Sequence, residues 1–216
     1  AIAALAFGVG PIPPSDVVVG PGNLYVTAAK QLLAGQVQID MLAGPSELLV
    51  IADAGADPAW VASDLLAQAE HDPHAVPILI SLDSEFPSLV EREIERRLED
   101  LPAASTARAA LANGGVIVCE TEDAACLASD DIALEHLQLS VSNPEAWPDR
   151  LHHYGTLFIG ERAAEVFGDY GVGPNHVLPT GGTARARGGL SVMDFLRVRT
   201  WIRADSAPDL DLIEDV

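Results

Sequence analysis

Short apolar runs alternate with amphipathic stretches through most of the chain. Residues 47–53 (ELLVIAD) and 76–83 (VPILISLD) are almost continuously apolar, which is typical of strands buried on both faces of a parallel sheet. Apolar residues recur at helical spacing between them, in 57–71. Further strands are predicted at 115–120, expected to be buried, and at 154–160. This alternation predicts an α/β fold built on an open, mostly parallel sheet.

The helix predicted over 57–71 has clear start and stop signals and carries polar groups near its end. Asp57 is followed by proline, a good N-cap and first residue, and Pro73 follows the last turn. Gln68 and His71 stand three residues apart and therefore share one face. Together they are suited to hold a metal ion or a polar substrate. The alternative is structural, because a histidine is favoured at a helix C-terminus and glutamine is an uncommon zinc ligand.

Three other stretches combine polar groups with turns or strand ends. Glu135 and His136 are adjacent and could handle protons together, although such a dipeptide is often only surface decoration. Asp169 and His176 lie in a loop rich in glycine and proline. The GPGN turn at 20–23 follows a β-branched run and precedes a predicted helix, an arrangement that either binds an anion or is an ordinary turn. Ligands of open α/β sheets bind beyond the carboxyl ends of the strands, so we expect four stretches to meet there: GPSE (44–47), QAEH (68–71), LEHLQL (134–139) and GDYGVGPNHVLPT (168–180).

Charge and composition exclude several classes of partner. The 216 residues include 12 basic and 32 acidic side chains, a net charge of −20, which argues against nucleic acid and anionic membranes. Only one basic residue is lysine, Lys30, and such an acidic, lysine-poor surface would suit a salt-rich cytoplasm. No apolar run is long enough for a transmembrane helix. Cys119 and Cys126 are not in a CxxC pair and are predicted to be buried free thiols of a reducing compartment.

The order of these motifs resembles one known family. GPGN, IDMLAGPSE, DLLAQAEHDP, EHLQL, GDYGVGPNHVLPTGGTAR and LSVMDFL follow one another from about residue 1 to 203, and in series they are similar to the histidinol dehydrogenases. The resemblance implies two Rossmann-like domains, a cytoplasmic homodimer, one Zn²⁺ per active site, NAD as cofactor and L-histidinol as substrate. The implied reaction is the oxidation of L-histidinol to L-histidine through the aldehyde, in histidine biosynthesis.

The resemblance also implies roles for individual residues. Glu135 is the implied activator of water, and His136 the implied general acid and base. Asn23 is implied to contact NAD. The implied zinc ligands are Gln68, His71 and Asp169. The implied substrate contacts are Ser46, His136, His176 and the three zinc ligands.

The resemblance divides the chain into three parts and leaves the family fold incomplete. Residues 1–46 are expected to end the NAD-binding domain, 47–190 to form part of the zinc and substrate domain, and 191–216 to begin a C-terminal tail. The family's fourth zinc ligand is a histidine, and the tail contains none. The opening AIAALAFG also reads as the end of a helix already under way. We therefore expect a fragment of a longer protein, with weak zinc binding and little activity of its own.

Three alternatives remain open. A related dehydrogenase of another polar alcohol, such as a sulfonated diol, would keep the zinc and Glu–His groups. A non-catalytic remnant would keep the fold without the metal. A zinc hydrolase is the least favoured, because the sequence has no HExxH motif.

Overall fold

A computed structural model describes residues 1–163, 168, 173 and 175–203. Its first part carries a small parallel pair of strands. The elements of this part are α1 (Ile2–Phe7), β1 (Val17–Val18), α2 (Leu24–Leu33) and β2 (Gln38–Ile39). A buried ion pair joins them, because Lys30 Nζ lies 2.5 Å from Asp40 Oδ1 and both residues are at most 2% exposed.

The second part is built on a five-stranded sheet in which every pairing is parallel. Its elements are β3 (Glu47–Ala52), α3 (Pro58–His71), β4 (Val76–Ser81), α4 (Phe86–Leu98), α5 (Ala104–Leu111), β5 (Gly115–Val118), α6 (Glu122–Ile132), β6 (His136–Ser140) and β7 (Thr156–Ile159). The spatial order is β5-β4-β3-β6-β7. Counted along the chain within this sheet, that order is 3-2-1-4-5, as in a Rossmann-type sheet. The predicted fold class is confirmed.

The side-chain alternation of β3 explains how the sheet is covered on both faces. Leu48 and Val50 pack under α3 and α4, whereas Leu49 and Ile51 face a second cluster that includes Trp147. All six residues of β3 are buried, so its apolar run is the centre of the core. Helix α3 begins and ends as predicted, and its Asp57 cap accepts a hydrogen bond from the amide of Ala59.

One strand differs from its prediction. The run at 115–120 was expected to be buried, but β5 is an edge strand that pairs only with β4 among the described strands. Val116 and Val118 are 55% and 51% exposed. An apolar run indicates a strand, but its place in the sheet depends on long-range pairing that the run does not encode.

Two further predictions lie in this part of the fold. Cys119 and Cys126 are buried and free, as predicted, and burial raises the pKa of both thiols. The assignment of 1–46, 47–190 and 191–216 to separate domains stays a prediction. Among the described residues, no helix is long and apolar enough to cross a membrane.

Candidate active site

A cleft of about 910 Å³ lies at the amino edge of the five-stranded sheet. Its walls are the turn before β3, the last turns of α3, the start of β6 and the segment 176–180. The candidate residues among its lining are Ser46, Gln68, His71, Glu135, His136 and His176. Residues separated by as many as 130 positions in sequence are thus brought to one place.

The cleft is at the opposite edge from the one expected. Ser46 precedes β3, and His136 is the first residue of β6, so both stand at strand starts. Helix α3 follows β3 and precedes the parallel β4, so its C-terminal end, with Gln68 and His71, returns to the amino edge. The rule that ligands bind at carboxyl ends therefore gave a wrong location.

The opposite, carboxyl edge is closed by hydrogen bonds within the chain. Asp53 accepts the amides of Gly55 and Ser142 at 2.8 and 2.7 Å. Glu161 accepts the amide of Asp57 at 2.7 Å. These carboxylates hold together the loops that follow β3, β6 and β7.

Helix α3 presents a polar stripe to the cleft. Asp64, Gln68 and His71 follow at intervals of four and three residues and all line it. Gln68 is 2% exposed, whereas His71 stands at the exposed mouth. Within the described part of the chain, no three His, Cys, Asp or Glu side chains form a group that could hold a metal. Gln68 and His71 are therefore at most part of a ligand set, and Asp169 lies outside the described residues.

Asp64 was not singled out from the sequence. It accepts a hydrogen bond from Gln138 Nε2 at 2.6 Å, which ties α3 to β6 across the floor of the cleft. Burial raises the pKa of Asp64, the bond from Gln138 lowers it, and the nearby Glu161 raises it further. Its spacing of four residues before Gln68 was the signal that could have identified it.

Glu135 and His136 are both buried, at 6% and 7% exposure. His136 Nδ1 lies 3.0 Å from the backbone oxygen of Glu47 and 3.5 Å from Glu135 Oε2. A carbonyl oxygen only accepts, so Nδ1 carries a proton and donates it there. In the neutral ring, Nε2 is then the basic nitrogen. The phenyl ring of Phe158 lies beside the imidazole, with centroids 6.0 Å apart.

Glu47 is a second residue that the sequence alone did not identify. Its amide donates to Glu135 Oε2 at 3.0 Å, and its own carboxylate Oε1 accepts the amide of Gly181 at 3.0 Å. Burial raises the pKa of Glu47, while the amides of Gly181 and Glu135 lower it by a smaller amount. A carboxylate at the head of an otherwise apolar strand was the available signal.

Asn23 caps α2 and does not itself line the cleft. Its side-chain oxygen accepts the amides of Tyr25 and Val26, while its neighbours Pro21 and Gly22 are part of the lining. Any contact of Asn23 with a cofactor therefore has to use its amide nitrogen or its backbone. The turn is tied down at Gly20, whose amide donates to Asp40 Oδ2 at 2.7 Å.

The described lining is rich in acid and has no lysine or arginine. It holds Asp64, Glu70, Asp72 and Glu135, with histidines as the basic groups. A negative lining of this kind attracts metal cations and ammonium groups and disfavours anions.

The parallel sheet and its polar cleft define an α/β domain of the Rossmann-like class. The sequence model of the family "Histidinol dehydrogenase" matches residues 1–215, and the chain belongs to that family. It is 50% identical over 198 residues to the histidinol dehydrogenase of Thermus thermophilus, covering 92% of this chain and 48% of that protein. It is 50% identical over 208 residues to that of Synechococcus sp., covering 96% of this chain and 48% of that protein.

A solved structure agrees with the fold. The crystal structure of histidinol dehydrogenase from Elizabethkingia anophelis superposes with a TM-score of 0.86 at 42% identity, covering 89% of this chain and 45% of that chain. The chain thus spans about half the length of the curated relatives it matches.

Proposed function

We propose that this chain supplies part of a zinc- and NAD-dependent site that oxidises L-histidinol to L-histidine. The observation that carries the proposal is the convergence of six motif residues on one cleft from separate elements. Family membership supports the same assignment. The reaction removes two hydrides and adds one oxygen from water.

His136 is the proposed proton acceptor. Because Nδ1 donates to the oxygen of Glu47, Nε2 is the nitrogen with the lone pair and is the one proposed to take the proton of the alcohol. Glu135 Oε2 lies 3.5 Å from the protonated nitrogen and stabilises the imidazolium that forms. In the second half of the reaction the Glu135 carboxylate takes a proton from the water that adds to the aldehyde.

Gln68 and His71, with Asp169, are the residues we propose to hold zinc. Their nitrogen and oxygen donors fit this ion, and a set of three protein ligands leaves room for substrate. Zinc held there would supply a positive charge that orients the amino alcohol, and NAD would serve as the hydride acceptor. Asn23, beside Pro21 and Gly22 of the cleft, is the proposed NAD contact. Ser46 and His176 are proposed to contact the substrate.

The charge of the cleft supports histidinol over a sulfonated diol. Histidinol carries an ammonium group, and the described lining offers Asp64, Glu70, Asp72 and Glu135. A sulfonate would need a cationic partner, and the described lining contains no lysine or arginine. The acidic composition and the free thiols further support a cytoplasmic enzyme that binds neither nucleic acid nor membrane. A homodimer is proposed from family membership alone.

Because the chain spans about half of its relatives, the test uses a chimera. This chain replaces the matching 48% of the Thermus thermophilus enzyme, and NADH formation is measured with histidinol and with a sulfonated diol. We expect zinc-dependent oxidation of histidinol, and a fall in kcat of about 100-fold or more in H136Q. In E135Q, one NADH per histidinol should form faster than the second. The exposed Glu120 provides the control, E120Q. Preference for the diol, or a rate unchanged after zinc removal, would refute the proposal.

A further inference from the structure

Three walls of the cleft meet at one residue, Glu47. Its amide donates to the carboxylate of Glu135, and its backbone oxygen accepts from His136 Nδ1, both at 3.0 Å. Its carboxylate Oε1 accepts the amide of Gly181, also at 3.0 Å. Glu47 thus contacts Glu135 and His136 through its backbone and the amide of Gly181 through its side chain.

The bond to Gly181 fixes the third wall. Gly181 follows the segment 176–180, which lines the cleft and contains His176. A parallel contact reinforces it, because the amide of Gly44 donates to Thr180 Oγ1 at 2.6 Å. The turn before β3 is therefore joined to this segment at two points, one by a carboxylate and one by a hydroxyl.

Burial of the Glu47 side chain is energetically unfavourable. The residue is 8% exposed, and its Oε2 has no hydrogen-bond partner among the described residues. A buried acceptor left in this state destabilises a fold, and an apolar side chain of the same size would avoid the penalty. The position therefore calls for an explanation other than stability.

We propose that Glu47 is a positioning residue of the active site, whose side chain fastens the segment 176–181, which carries His176, against the strand start that holds Glu135 and His136. It is not part of the lining of the cleft. What its side chain supplies is a hydrogen-bond acceptor, at Oε1, in a fixed place. The link to catalysis rests on the proposed function, whereas the placement of His176 can be measured without it.

The test separates the acceptor from the size of the side chain. E47Q keeps both the size and an oxygen that Gly181 can reach, whereas E47M keeps the size and loses the oxygen. The placement of His176 is read from the nitrogen-15 NMR signals of the imidazoles in the 216-residue chain, assigned by the signal missing in H176Q. We expect the wild-type His176 signal to be retained in E47Q and to shift in E47M, because the amide of Gly181 then loses its acceptor. The exposed Glu120 gives matched controls, E120Q and E120M, which should leave His176 unchanged.

Activity of the chimera provides the second readout. E47M should lower kcat/KM about tenfold or more, because the segment that carries His176 is then no longer held in place against the substrate. E47Q should restore most of that loss. Equal effects of E47Q and E47M on both readouts would overturn the proposal, whether both match the wild type or both fail.

Two further arms keep the result unambiguous. If E47M does not fold, T180V takes its place, since it removes the parallel acceptor that fastens the same segment to Gly44 with little change in shape, and a His176 signal identical to wild type would then count against the proposal. A wild-type chimera without histidinol oxidation would refute the proposed function, and the NMR comparison would then decide by itself whether Glu47 fixes the segment that carries His176.

Discussion

The buried pair Lys30–Asp40 gives the sharpest prediction about stability. Asp40 accepts from Lys30 Nζ through Oδ1 and from the amide of Gly20 through Oδ2. Lys30 also donates to the oxygen of Gly20. The change D40A removes both acceptors and leaves the ammonium of Lys30, which is 2% exposed, without its counter-charge.

The magnitude follows from the burial of both groups. Removing one partner of a buried pair costs about 3–5 kcal/mol, because the remaining charge is left in a poorly polar place. A domain typically has a free energy of unfolding of about 5–15 kcal/mol, so the loss is a large share of it. The double change K30M/D40L removes both charges and should cost less than D40A, although the amide of Gly20 still loses its acceptor.

Lys30 itself provides a local assay, since it is the only lysine of the sequence. An amine-acylating reagent should modify Lys30 in the folded wild type far more slowly than in urea, as measured by mass spectrometry of the peptide that contains it. D40A should speed this reaction without denaturant, and urea titration followed by circular dichroism gives the free energy.

A surface ion pair is the matched control. Arg108 and Glu95 form an exposed pair at 3.0 Å, and R108A should cost no more than about 1 kcal/mol. If D40A costs as little as R108A, or leaves the acylation rate of Lys30 unchanged, then burial does not govern this pair and the reasoning fails.

Three other predictions follow from the structure. H71A should weaken Zn²⁺ binding to the chain in calorimetry, whereas H74A, outside the cleft, should not; equal affinities would remove His71 from the ligand set. The pKa of Glu47 is raised from 4.5 by burial, so its contribution to stability is complete below that pH and is lost as pH rises through the higher value. E47Q should therefore gain stability relative to wild type between pH 4.5 and neutrality in urea titrations, and a constant difference would contradict this. W147A removes a fully buried ring, 1% exposed, and should cost about 3–5 kcal/mol in the same titration, whereas W60A, at 47% exposure, should cost much less.

The order of helices and strands could be predicted from the sequence because local signals are strong. Asp57 with its following proline, and Pro73, mark the ends of α3 to the residue. The apolar run of β3 indicated burial on both faces, which the structure has. The edge position of β5 could not be predicted, because it depends on which strand pairs with which.

The sequence predicted which residues form the candidate site, but it did not predict the edge of the sheet at which they meet. The edge could have been inferred from the sequence, since Ser46 precedes one apolar run and Glu135 and His136 precede or begin another. Glu47 was missed because its contacts are made by its backbone and by an amide 134 positions away. A local sequence pattern cannot indicate a hydrogen-bond partner that is so distant in sequence.

The separation of the two sheet edges has a consequence for how this chain can change over evolution. Loops that follow the strands are held by bonds such as Asp53 to Ser142, and they lie away from the chemistry. They are free to lengthen, shorten or acquire new sequence as long as the sheet survives. Residues that precede the strands line the cleft and cannot change in this way. Related chains should therefore vary in sequence at the carboxyl edge of the sheet and stay similar at the amino edge.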